Sequence, residues 1–190
     1  MYKRVTLRDT VEVPPKHLAD VTPDLVKNLL QDKLEGRVDE DVGSVVSVIE
    51  VKDIGDGAVL PGKEGVYFEA EFDAVTFDPQ MQEVVDGEVV EVVNFGAFVG
   101  IGPVDGLLHV SQISDEYLAY DEEGQALASR ESNRTLGVGD SVRTRIVTKS
   151  IDERNPRDSK IGLTAKQVGL GKHGWLKEER EKRQASADGE

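Results

Sequence analysis

Gly87-Glu88-Val89-Val90-Glu91-Val92-Val93-Asn94-Phe95-Gly96-Ala97-Phe98-Val99, continued by Asp105-Gly106-Leu107-Leu108-His109-Val110-Ser111, is the stretch on which the fold turns. Val90, Val92 and the 95–99 run supply the period-2 alternation of strands. Gly96 sits between two aromatics, where a strand bends or admits another backbone. Asp105-Gly106 predicts a turn that re-enters a strand at Leu107–Val110. The stretch reads as two or three strands of a small barrel.

Further pieces follow in order. Val138-Gly139-Asp140-Ser141-Val142 precedes a strand over Arg143–Lys149, then come Ile151-Asp152 and Lys160-Ile161-Gly162-Leu163-Thr164. Together they span about residues 82–167 and resemble the S1 domain, an OB-fold family that binds single-stranded RNA. Between them, Ile113–Leu136 is a long insertion carrying Tyr117, Tyr120 and the acids Asp121, Glu122 and Glu123.

Upstream, residues 2–13 alternate as a strand closed by Pro14-Pro15. Thr22-Pro23-Asp24 starts a helix: a capping hydroxyl, a proline at the first helical position and an acid in the first turn. Leu25, Val26, Leu29, Leu30 and Leu34 then share one face, and Gly36 ends it. Gly43–Val51 and Val66–Phe77 read as strands joined by a polar connection, Lys52–Gly65. The order strand, helix, strand, loop, strand predicts an α+β module resembling a truncated ribonucleoprotein or ferredoxin-like fold, followed by an OB-fold β-barrel. Asp78-Pro79 marks the boundary. The expected organisation is 1–80, then 81–183 with a C-terminal extension, then a disordered tail at 184–190.

Composition narrows the function. Without cysteine there is neither a disulfide framework nor a thiolate metal site. No apolar run of about 18 residues predicts a membrane span and no signal-peptide pattern opens the chain, so the expected location is the cytoplasm. The net charge of −14 is unusual for a nucleic-acid binder, but it is unevenly placed: residues 141–183 carry 12 basic and 6 acidic side chains, residues 81–140 carry 2 and 12. Two readings of the surplus acid stand open, a surface adapted to high intracellular salt and a docking surface for a basic partner. His17 and His173 lack acids at metal-ligand spacing, and Asp39-Glu40-Asp41 reads as a solvated turn, so no metal site and no cofactor are expected. No catalytic triad, Walker loop or carboxylate pair is present, and the chain has no catalytic residues of its own.

Val13-Pro14-Pro15, Leu34-Glu35-Gly36-Arg37-Val38, Gly55-Asp56-Gly57…Leu60-Pro61-Gly62 and Gln82-Glu83-Val84-Val85-Asp86-Gly87 carry a wider resemblance. Nearly the whole chain resembles the E′ family of archaeal RNA polymerase stalk subunits, whose eukaryotic relative is the seventh subunit of RNA polymerase II. That resemblance implies a non-catalytic subunit that docks on the polymerase core, pairs with a second small stalk subunit of the F type, contacts exiting single-stranded RNA and assists promoter opening. With the acidic composition it suggests a haloarchaeal source. A translation or RNA-processing factor built on the same barrel is the alternative.

The candidate RNA platform is Phe95, Phe98 and His109, because stacking on aromatic faces tolerates any base. One of the two phenylalanines could instead fill the barrel. Arg143, Arg145, Lys149, Arg154 and Arg157 are candidate phosphate contacts, or they balance nearby acids. Among RNA-binding relatives, Asp152 matches the usual acid, and Lys160 stands where arginine is common. In the Lys52–Gly65 connection, Ile54, Gly55, Gly57, Val59, Leu60, Pro61 and Gly62 form a candidate docking loop, since a purely solvating loop needs no apolar residues and the resemblance supplies a polymerase core as host.

Overall fold

The computed structural model describes residues 1–39, 41–132, 134–150 and 160–187. The described residues divide into one unit formed by Met1–Asp78 and a second that begins at Pro79.

The first unit runs β1 (Tyr2–Val13), a short 3-10 turn (Pro15–His17), α1 (Pro23–Leu34), β2 (Val38–Asp39), β3 (Gly43–Val59) and β4 (Val66–Phe77). Its antiparallel sheet has the order β1-β4-β3-β2. Helix α1 begins as its sequence dictates: the Leu25 N–H donates to Thr22 Oγ1 at 3.3 Å, and Pro23 needs no donor partner. Past its end, Gly36 takes φ +79°, a conformation that glycine adopts without a Cβ clash. Val26 and Leu30 bury the helix face against Val11, Val45, Val48, Ala70, Phe72 and Ala74 of the sheet.

Here the expected connection Lys52–Gly65 is corrected. Strand β3 continues to Val59, and only 60–65 turn, with Lys63 N–H donating to the Leu60 carbonyl and Gly62 at φ +77°. Gly57 lies within the strand, paired with Phe68, and a Cβ there would sit 2.8 Å from the Phe68 ring and the Val66 side chain. Its glycine serves close packing, a use that sequence alone does not separate from a loop. Ile54 packs partly buried against the core, so it is not part of a free loop.

The second unit contains β5 (Val84–Val93), β6 (Gly96–Gly100), β7 (Asp105–His109), a 3-10 turn (Val110–Gln112), β8 (Leu118–Asp121), β9 (Ala126–Ser129), β10 (Thr135–Gly137), β11 (Ser141–Ser150), β12 (Lys160–Thr164), β13 (Gly171–Lys172) and α2 (His173–Ala187). Strands β5, β6, β7, β12 and β11 pair in sequence and β11 returns to β5, closing a five-stranded barrel. Inside lie Val89, Val92, Ala97, Val99, Leu108, Val142, Ile146, Ile161 and Leu163.

Two local expectations change. A register shift between Val89 and Glu91 breaks the alternation, so Val89 and Val92 are buried while Val90 is exposed. Asp105 and Gly106 belong to β7, and the turn precedes them, with Ile101 N–H donating to the Val104 carbonyl. Gly106 is required by packing, since a Cβ would meet Leu163 at 2.6 Å.

The 113–136 insertion folds as a β8-β9-β10 meander with Leu118, Leu127 and Leu136 buried. Helix α2 is pinned by buried Trp175 and Leu176, with the Arg134 guanidinium 5.4 Å above the Trp175 ring and ion-paired to Glu179 at 3.0 Å. It runs to Ala187, so the segment expected to start an unstructured tail at 184 is helical that far.

Candidate nucleic-acid interface

Strands β6 and β7 place the platform. Ala97 and Val99 point into the barrel, which turns Phe98 outward by the two-residue period. Phe95, in the preceding turn, is 45% exposed, and the two rings meet edge to face with centroids 6.4 Å apart and planes at 84°. Neither phenylalanine fills the barrel. Across the ladder Phe98 faces Leu107 and Gly96 faces His109, which puts the exposed His109 ring diagonally beside Phe98 on the same outer face.

The His109 ring is held. Its Nδ1 accepts the Ser111 backbone N–H at 3.2 Å and lies 2.8 Å from Ser111 Oγ. An accepting Nδ1 leaves the proton of the neutral ring on Nε2, as an outward donor. Ser111 is thus a supporting residue that sequence reasoning passed over, although its place two residues after the histidine was a local signal.

The cations divide. Lys160 is exposed at the start of β12, on the outer face two residues before Gly162, which stands opposite Leu107. Arg145 pairs in register with Thr164 of the same strand and donates to the Gln82 carbonyl at 3.2 Å. Arg143 lies on the β5–β11 seam, where Nε and one terminal nitrogen bind both oxygens of Asp86 at 2.8 and 3.1 Å. His173 adds a contact to the same carboxylate at 3.2 Å. The Arg143 hydrogen bond is the main cause that holds the Asp86 carboxyl below its ordinary range, and the carboxylate in turn raises Arg143. That pairing matches the charge-balancing reading for Arg143. Asp86 was invisible as its partner because 57 residues separate them in sequence. Asp152, Arg154 and Arg157 fall outside the described residues.

The SHS2 domain found in the N terminus of Rpb7p, Rpc25p and MJ0397 matches residues 8–65, and the S1 RNA binding domain matches residues 78–160. DNA-directed RNA polymerase subunit Rpo7 of Saccharolobus shibatae is 36% identical over 178 residues, covering 93% of this chain and 97% of that protein. The Saccharolobus solfataricus Rpo7 matches equally well. That of Sulfolobus acidocaldarius is 34% identical over 180 residues, covering 94% and 97%. The chain belongs to the Rpo7 family of DNA-directed RNA polymerase subunits.

For an Rpo7 family member the two units take their names from these matches, an N-terminal SHS2 domain and a C-terminal S1 barrel. The alternative of a separate translation or processing factor gives way, because the Rpo7 likeness spans both units and not the barrel alone. Among the described residues, no group of three or more His, Cys, Asp or Glu side chains could hold a metal ion, and no helix is long and apolar enough to cross a membrane. Asp39 turns its carboxylate back on the chain instead, accepting the N–H groups of Asp41 and Val42 at 2.9 and 3.0 Å.

Proposed function

We propose that this chain acts in the cytoplasm as the polymerase stalk subunit that receives exiting transcript. Residues 1–80 dock on the core enzyme and residues 81–183 bind single-stranded RNA. A second small stalk subunit, of the F type, completes the stalk, and the assembly assists initiation. The observation that carries the RNA reading is the outward pair Phe98 and His109, side by side on one barrel face with Phe95 against Phe98.

Chemically, such a face suits unpaired bases. Every base offers a π-surface to Phe95 or Phe98, and each stacked base contributes about 1–3 kcal/mol. The His109 Nε2–H can donate to a base edge or phosphate, with Lys160 and Arg145 at the margin for the backbone. Asp152 is a further candidate RNA contact by family likeness. Arg143 serves this surface through Asp86 more than through phosphate. Stacked duplex bases cannot reach the rings, so single strands are preferred and sequence matters little.

For docking, the tip of the β3–β4 hairpin is the candidate: Val59 is 74% exposed and Leu60 44%, with Pro61 and Gly62 at the turn. Gly55 and Gly57 shape the arm that carries it.

The test is oligonucleotide binding by the full chain. Phe98→Ala and His109→Ala should each weaken single-strand binding while thermal melts stay cooperative. Unchanged affinity in both folded variants would overturn the platform.

A further inference from the structure

A break in strand β5 decides what stands beside the Phe98 ring. Val89 and Val92 are both buried in the barrel, a spacing that unbroken two-residue alternation does not allow. The register shift between Val89 and Glu91 takes up the difference and leaves Val90 and Glu91 exposed one after the other. Had the alternation run on from Val89, Glu91 would face the apolar interior. Bulges re-aim side chains in this way, and they recur beside functional sites.

The two exposed residues then part company. Val90 leans over Gly100, where an added Cβ would lie 3.3 Å from its Cγ1. Glu91 is the register partner of Phe98, so it shares the outer face of the platform. In such a pair the Cβ atoms lie about 5 Å apart. Among the described residues, no hydrogen bond or ion pair engages the Glu91 carboxylate. Asp86, earlier on the same strand, is the contrast, since Arg143 and His173 both hold it.

The surroundings of the Phe98 ring are therefore lopsided. On the β5 side stands a free carboxylate. On the β7 side stand half-buried Leu107, the His109 ring with its outward Nε2–H, and, at the start of β12, exposed Lys160. A phosphate is drawn to those donors and repelled by Glu91. A nucleotide stacked on Phe98 with its phosphate toward β7 and β12 carries the far edge of its base toward β5, where Glu91 stands.

An ionised carboxylate only accepts hydrogen bonds. Guanine presents it with two adjacent donors, N1–H and the 2-amino group, which match its two oxygens. Cytosine and adenine set one amino group beside a ring-nitrogen lone pair. Uracil sets one N–H between two carbonyls. Each of those three brings repulsion together with its single bond.

We propose that Glu91 selects guanine at the base stacked on Phe98, accepting N1–H and the 2-amino group on its two carboxylate oxygens. The inference rests on the RNA platform proposed above and adds a choice at one position, since stacking itself takes any base. Glu91 is exposed, so the preference belongs at the low end for a bidentate base contact, about fivefold over uracil.

The test is binding of the full chain to short oligouridylates whose central base is guanine, hypoxanthine, adenine, cytosine or uracil, read by fluorescence anisotropy at fixed salt. Central guanine should bind tightest. Hypoxanthine keeps N1–H but lacks the 2-amino group, and should lose most of the gain. In Glu91→Gln the ranking should level, while the all-uracil oligomer binds as well as before or better because a repelling charge is gone. Equal binding of the guanine and hypoxanthine oligomers by the unaltered chain would overturn the assignment. So would a guanine preference that survives Glu91→Gln, or a rise by one common factor across all the oligomers, which would mark Glu91 as repulsion alone. If no oligomer binds, the platform itself fails and this selection with it.

Discussion

Gly96 and His109 stand opposite each other across β6 and β7, so close that a Cβ on Gly96 would lie 2.4 Å from the Leu108 carbonyl oxygen and 2.9 Å from the His109 Cα. The obstacle is backbone and cannot rotate away. Gly96→Ala should therefore push β7 outward, at a cost of about 1–3 kcal/mol. Urea unfolding of the two proteins measures it. Because His109 moves with β7, single-strand affinity should fall as well. A variant with unchanged midpoint and slope would show that the strands separate freely.

Asp73 lies among Lys52, Thr6 and Arg4, at 2.6, 2.6 and 2.7 Å. Lys52 first, then the Thr6 hydroxyl and Arg4, hold its carboxyl well below the ordinary carboxylate range, against the opposing effect of burial. For a depressed acid, the stabilisation is complete above the unfolded value of about 3.9 and is lost as pH falls below it toward the folded value. Asp73→Asn should lower stability at neutral pH and flatten its decline below about pH 4. Melts of both proteins between neutral and strongly acid pH decide it, and parallel acid limbs would dissociate this carboxylate from the loss.

The surplus of 37 acidic over 23 basic residues should make the isolated chain more stable as salt rises, because added ions screen self-repulsion. A rising melting temperature across potassium chloride concentrations is the expected result. A flat or falling trend would favour the acids as a docking surface for a basic partner.

Docking through the hairpin tip calls for substitution, since removing 55–62 would cut into paired strand. Val59→Asp with Leu60→Asp alters exposed side chains and should shift stability by no more than about 0.5 kcal/mol. Association with core polymerase in a pull-down should be lost while RNA binding persists. Normal recovery of the core with the double variant would remove the docking role.

Much of this molecule was legible in its residues. The Thr22-Pro23-Asp24 cap, the period of β1 and the Phe95-Gly96-Ala97-Phe98 run depend on neighbours within a few positions, where capping, φ restriction and side-chain alternation act. What distant strands decide could not be read there. Gly57 and Gly106 look like turn residues, yet they are glycines because Phe68 and Leu163 occupy the space of a Cβ. Whether Phe98 faced the barrel or the solvent followed from register with β7, and the partner of Arg143 followed from the pairing of β11 with β5. Local chemistry chose the elements; closure of the barrel and the order of the sheet chose which of their faces and edges are left to meet other molecules.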